Sequence, residues 1–154
     1  MDLLKLSKHK MQPAQKFSLS DWSALIEAWL RMSFFHFALL VTSYDRLDKS
    51  TRAVDSLPRR ESSADAERLH RLTRYAARLH FIPMTCLVQS LTLQSMLREQ
   101  NIPAQIKIGA QKTQGVLYAH AWVEVDKKPV GEADDVAKKF KILAAVEMNS
   151  RQLA

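Results

Sequence analysis

A chain of 154 residues is long enough for one domain around a single core and too short for several. Its 47% apolar and 25% charged residues are ordinary for a folded protein and exclude a disordered or low-complexity chain. One cysteine excludes an internal disulfide and fits a reducing cytoplasm, while a net charge of +7 favours acidic partners without choosing among peptide, nucleic acid and membrane surface.

Residues 1–16 are rich in Lys, contain Pro13 and hold no sustained period, so a mobile or loosely docked arm is expected there. Met1 to Lys8 alternates charge and apolarity too closely for the centre of a signal peptide. Ser18-Leu19-Ser20-Asp21 has the form of a capping box. Trp22, Leu25, Ile26, Trp29, Leu30, Phe34, Phe37, Ala38 and Val41 follow at helical spacing and predict a helix from about Ser20 to Tyr44. After Arg31 this helix is apolar on nearly all sides, so the rest of the fold or a partner is expected to bury it. The uncharged run Met32 to Tyr44 has 13 residues, short of the about 20 that a membrane span needs, and no transmembrane segment is expected.

Residues 45–61 are polar, carry Pro58, and read as a loop or a short helix. Ser62 or Ser63 then caps a second helix to about His80, with Leu69, Leu72, Ala76 and Leu79 as its apolar stripe. Arg68, Arg71, Arg74 and Arg78 line up beside that stripe. They read as a solvated face paired with neighbours such as Glu67, or as a docking face for an acidic peptide.

Pro83 closes this helix region, because proline disfavours α geometry in the residue before it. Thr85 is a plausible N-cap that puts Cys86 in the first turn of a third helix, from about Thr85 to Gln100. The period then switches to two. Ala104 to Ile108 reads as a strand, Gln111 to Gln114 as a turn and Val116 to Val125 as a second strand. On that second strand Tyr118, His120, Trp122 and Glu124 share one face, and Leu117, Ala119, Ala121, Val123 and Val125 the other. Pro129 to Glu132 reads as a short third strand. Beyond it, Asp134 and Asp135 suit a helix start and Phe140 to Leu143 a strand. Helices followed by a small antiparallel sheet make an α+β fold.

A thiol at a helix N-terminus is acidified by orphan N–H groups and the helix dipole, which favours thiolate. Cys86 has this placement, and a small buried hydrophobe is the competing interpretation. His120, on the polar face of its strand, can reach Cys86 if the sheet packs beside the third helix. An acid should orient the imidazole. Glu124 lies four residues along the same strand, roughly 13 Å away at ~3.3 Å per residue, so the acid must come from a neighbouring strand. Glu132 qualifies if the hairpin loop is Asp126-Lys127-Lys128, which pairs Val125 with Pro129 and Trp122 with Glu132. A two-residue loop at Lys127-Lys128 pairs Val123 with Glu132 instead, and Asp134 is the alternative acid. His9, His36, His70 and His80 show no metal-ligand spacing, and three glycines form no phosphate loop, so neither metal nor cofactor is expected. The Cys86 backbone N–H is the expected oxyanion donor, with Gln89, one turn after Cys86, as the alternative.

Thr85-Cys86-Leu87-Val88-Gln89, Ile102-Pro103-Ala104, His120-Ala121-Trp122-Val123-Glu124-Val125 and Pro129-Val130-Gly131-Glu132 together resemble the transglutaminase-like leader peptidases of lasso peptide biosynthesis. The resemblance is densest over residues 68–132. It implies a papain-like core with N-terminal helices, in which the Cys-bearing helix packs on the small sheet. It also implies that Cys86 is the nucleophile, His120 the general base and then acid, and an acidic residue the orienting group. That residue is often Asp in the family, and is Glu132 here. The substrate would be a ribosomally made precursor peptide, cut between leader and core in a bacterial cytoplasm. A separate ATP-dependent cyclase would then close the ring.

Because residues 17–80 read as helices, the stand-alone form of the family is implied, acting with a separate leader-binding protein. The expected organisation is one domain over 1–154, with an arm (1–16), a helical part (17–80) and a catalytic core (81–154). No nucleic-acid partner is expected. Two other functions fit the same residues: a transglutaminase-like acyl transferase, and a non-catalytic basic adaptor in which Cys86 is merely packed.

Overall fold

The computed structural model describes residues 17–44, 46–47 and 63–143. The expected arm (1–16), most of the polar connection after Tyr44 and residues 144–154 lie outside them. The described elements are α1 (Leu19–Val41), α2 (Ser63–Leu79), α3 (Cys86–Glu99), β1 (Gln105–Thr113), β2 (Val116–Val125), β3 (Lys128–Pro129), α4 (Val136–Lys139) and β4 (Lys141–Ile142). One antiparallel sheet carries the strands in the order β3-β2-β1-β4. The α+β class and the helix positions agree with the sequence periodicities.

The capping box forms at α1: the Ser18 hydroxyl accepts from the Asp21 N–H, and the Asp21 carboxylate accepts from the Ser18 N–H at 2.8 Å. Ala24, Leu25, Ala28, Met32 and Phe35 form the buried face. The opposite side is not covered by the described residues, so burial by the fold, one of the two expected alternatives, accounts for one face only. Trp22, Ile26, Leu30, Phe34, Phe37 and Val41 form an exposed apolar stripe at spacings of three and four. Within the described residues α1 therefore has one buried face. Over 23 residues it is long and apolar enough to cross a membrane, with a mean hydropathy of 1.5 in its most apolar window, which the shorter uncharged run did not suggest. Its charges are paired within the fold. Arg31 meets Glu27 at 2.7 Å, Glu99, and the Ser95 hydroxyl at 2.9 Å. Arg68 of α2 bonds Asp21 at 2.6 Å, tying α2 to the start of α1.

The central element is α3, buried from Leu87 to Arg98 on nearly every side. The other helices and the sheet both pack on it, so its sequence shows little separation of apolar and polar faces. Its buried polar groups are bonded: Gln94 and Arg98 both donate to the Ala104 carbonyl, at 3.3 and 2.9 Å. Asn101, at φ +59°, ends the helix in the left-handed region.

Both hairpins differ from the expected turns. Gln114-Gly115 and Asp126-Lys127 are two-residue turns with positive φ at both positions, the geometry that matches strand twist. So β1 runs five residues past its expected end at Ile108, to Thr113. Val125 pairs with Lys128 and Glu124 with Pro129, which is neither expected register. The assigned strand ends at Pro129, one further cross-strand bond runs from the Val130 N–H to the Val123 carbonyl, and the pairing does not reach Glu132. Near the C-terminal end, β4 adds to the β1 edge, pairing Gly109 with Ile142.

Candidate active site

Thr85 caps α3, its hydroxyl accepting from the Val88 N–H at 3.4 Å, so that Cys86 opens the helix as a half-buried free thiol. β2 packs against α3 through Ala121, Val123 and Val125 and brings the His120 imidazole beside the thiol, where each shifts the titration of the other. The other side of the ring meets the acid: His120 Nε2 lies 3.0 Å from Glu132 Oε1. With Nε2 on the carboxylate, Nδ1 is the ring nitrogen left for Cys86. The three residues line one cavity of about 180 Å³ with His70, Arg74 and Gln89.

Glu132 reaches His120 by a route that the pairing pattern does not reveal. Continued past Pro129, the ladder would set Glu132 opposite Ala121, on the core face. Gly131, at φ +68°, breaks the alternation and turns Glu132 toward the imidazole. Asp134 is exposed, and Glu124 accepts from Trp122 Nε1 at 3.1 Å.

The electrostatics favour charge separation. Burial pushes the Cys86 thiol up, but the His120 hydrogen bond, the Ala121 N–H, the imidazolium charge and the Leu87 N–H outweigh it, and the thiol sits below its ordinary value. Hydrogen bonds to Cys86 and then to Glu132 raise His120 to about 9 against burial. The His120 bond holds Glu132 below the usual carboxylate range although burial opposes it. A thiol lowered and an imidazole raised make a thiolate–imidazolium pair, which can attack a carbonyl carbon and protonate a leaving group.

Periodicity puts Trp122 on the His120 face but does not single out Phe140 or Gly109. Phe140 packs on the His120 ring at 5.2 Å between centroids, and Trp122 stacks at 6.1 Å. Gly109, paired with His120 across the sheet, makes room for them: a Cβ there would lie 2.7 Å from Phe140 Cβ. A glycine inside a strand is the one signal that could have marked this close approach. The Gln89 side chain donates to the Met84 carbonyl at 2.9 Å, which occupies one of its two amide hydrogens. His80 stacks on Trp29 and bonds Ser33, and half-buried His36 packs edge-on to Phe37. No group of three metal-ligating side chains occurs among the described residues.

Residues 29–145 match the Transglutaminase-like superfamily. The chain is 32% identical over 68 residues to the microcin J25-processing protein McjB of Escherichia coli, across 44% of this chain and 32% of that protein. The match thus spans about a third of the relative's length. No solved structure matches the chain. The superfamily match covers most of the chain, including α3, β2 and the loop that carries Glu132, and on that ground the protein belongs to the Transglutaminase-like superfamily.

Proposed function

We propose that the protein is a cysteine peptidase that removes the leader from a ribosomally made lasso peptide precursor. The observation that carries this reading is that Cys86, His120 and Glu132 line one cavity, with His120 Nε2 3.0 Å from Glu132 Oε1. The similarity to a microcin-processing protein supports the substrate class.

In this mechanism the Cys86 thiolate attacks the carbonyl carbon at the leader–core junction. The His120 imidazolium gives its proton to the departing amine, so the core peptide leaves with a free amino group and the leader is held as a thioester. His120, now neutral, takes a proton from water, and the hydroxide adds to the thioester carbonyl. Collapse expels the thiolate and leaves the leader with a free carboxylate. Glu132 keeps the ring oriented and stabilises the imidazolium in both steps. The start of α3 supplies backbone N–H groups for the oxyanion.

The helical part, residues 17–80, and the catalytic part, residues 81–154, act as one domain. A separate leader-binding protein delivers the precursor, and the apolar stripe of α1 and the arginines of α2 are the surfaces to probe for its docking. An ATP-dependent cyclase uses the released core. The reaction belongs in the cytoplasm, where a single catalytic thiol stays reduced.

The test is mass spectrometry of a precursor incubated with this protein and its leader-binding partner. Hydrolysis gives two fragments whose summed mass exceeds the precursor by one water. A new amide to an added amine would instead identify an acyl transferase, and an intact precursor under these conditions would oppose both.

A further inference from the structure

The loop that ends in Glu132 is held from outside the sheet by α2. The Gly131 N–H donates to Glu67 Oε1 at 3.0 Å, across 64 positions of sequence. One helical turn further on, the His70 ring lies against the Gly131 Cα. A Cβ at Gly131 would fall 1.6 Å from His70 Nδ1 and 1.8 Å from its Cε1. On the other side of the loop the Val130 N–H bonds the Val123 carbonyl at 2.9 Å, and the Val130 side chain is buried. The segment from Val130 to Gly131 is therefore fixed at three points, and Glu132 is the next residue.

From this geometry we infer that Glu67 and His70 are positioning residues, a clamp from α2 that sets the Glu132 carboxylate against His120. The inference rests on the peptidase reading of Cys86, His120 and Glu132, and adds a task for the Arg-rich helix. Glu67 is exposed, and its acceptor goes to a backbone N–H instead of a neighbouring arginine. Gly131 is required twice over: its φ of +68° disfavours a side chain, and the His70 ring occupies the space where a Cβ would be. Without the clamp the turn at Gly131 is free to relax toward regular strand alternation, which points Glu132 at the Ala121 face. A carboxylate displaced by about 1 Å can cost about 100-fold in rate.

The environment of the clamp is defined. Burial keeps His70 below its ordinary range, with Glu67, Arg74, Glu132 and Arg71 as the charges around it. Glu132 is faced by His120, Arg74 and His70, and His120 by Cys86 and Glu132. In a Cys86→Ala background Glu132 is thus the remaining titratable group on His120, and the His120 titration reports directly on that contact.

The experiment is an NMR titration of the His120 ring in Cys86→Ala, with and without Glu67→Ala. The expected result is a His120 pKa that falls toward the ordinary value of about 6.5 when Glu67 is truncated, and is largely retained in Glu67→Gln, whose amide oxygen still accepts. In the protein with its thiol, Glu67→Ala should slow precursor cleavage about 10- to 100-fold. Gly131→Ala should slow it at least as much, because the added methyl meets the His70 ring. An unchanged His120 pKa and unchanged cleavage in Glu67→Ala would overturn the clamp. Glu132→Ala in the same background separates the two inferences. If it leaves His120 unmoved, the orienting role of Glu132 itself fails. If it lowers the His120 pKa and Glu67→Ala does not, only the clamp fails.

Discussion

His120 Nε2–H donates to Glu132 Oε1 at 3.0 Å, although the register of β2 with β3 would place Glu132 opposite Ala121 on the far face of the sheet. The left-handed turn at Gly131 resolves the conflict. A single backbone dihedral thus decides whether the imidazole has an acid beside it.

Replacing Glu132 by Gln keeps the shape and removes the charge. The hydrogen bond to Glu132 is the second-largest cause of the raised His120 pKa, after the bond to Cys86, so His120 should titrate below about 9 in Glu132→Gln. The alkaline limb of the cleavage profile should move down in pH with it. The rate should fall about 10²- to 10⁴-fold, as expected for a lost orienting carboxylate. Cleavage rates across pH, measured beside the unsubstituted protein, check both effects.

The thiolate–imidazolium pair has a defined pH window. Below the lowered Cys86 pKa the sulfur is protonated, and above about 9 the imidazolium loses its proton. The rate of Cys86 alkylation by iodoacetamide, followed by mass spectrometry, should rise with an inflection below the ordinary thiol value of about 8.5. His120→Ala removes the attraction and leaves burial less opposed, so that inflection should move upward. An inflection already at or above 8.5 in the unsubstituted protein would argue for a merely packed thiol.

Gly109→Ala should damage the site from behind. The added methyl meets Phe140 Cβ at 2.7 Å and the Trp122 ring at 3.1 Å, and both rings pack on His120. Overpacking of this kind costs about 1–3 kcal/mol. Urea denaturation should show that loss, and precursor cleavage should fall because the imidazole loses its lateral support.

The two faces of the helical part should respond differently to truncation. Leu69 is fully buried, and Leu69→Ala should cost about 2–5 kcal/mol. Phe34, 63% exposed on the outer stripe of α1, should change stability by less than about 0.5 kcal/mol when replaced by Ser. Urea midpoints with unchanged slopes decide this, and a large loss at Phe34 would mean that the stripe is covered in solution.

Much of this architecture is legible in the sequence because it is local. Ser18 and Asp21 announce the start of α1, Thr85 the start of α3, and the alternation of Val116–Val125 a strand. The burial of α1 was not, since an apolar residue at Phe34 and one at Phe35 look alike until the packing selects a face. The β2–β3 register was also hidden. Asp126 and Lys127 both adopt positive φ without the glycine that usually marks such a turn. The approach of Glu132 to His120 depends on Gly131 leaving the ladder, and pairing rules assume that the ladder continues. The placement of Phe140, Gly109 and Glu67 around the site depends on contacts far apart in sequence, which periodicity does not encode.

Cys86 carries the most direct test. A labelled precursor is incubated with the Cys86→Ala protein and the leader-binding partner, and binding and cleavage are followed together. Binding should stay unchanged, while cleavage falls to the background seen without this protein, because no other cysteine is present to replace the nucleophile. Cleavage at the unsubstituted rate by Cys86→Ala would contradict the assignment of Cys86 as the nucleophile.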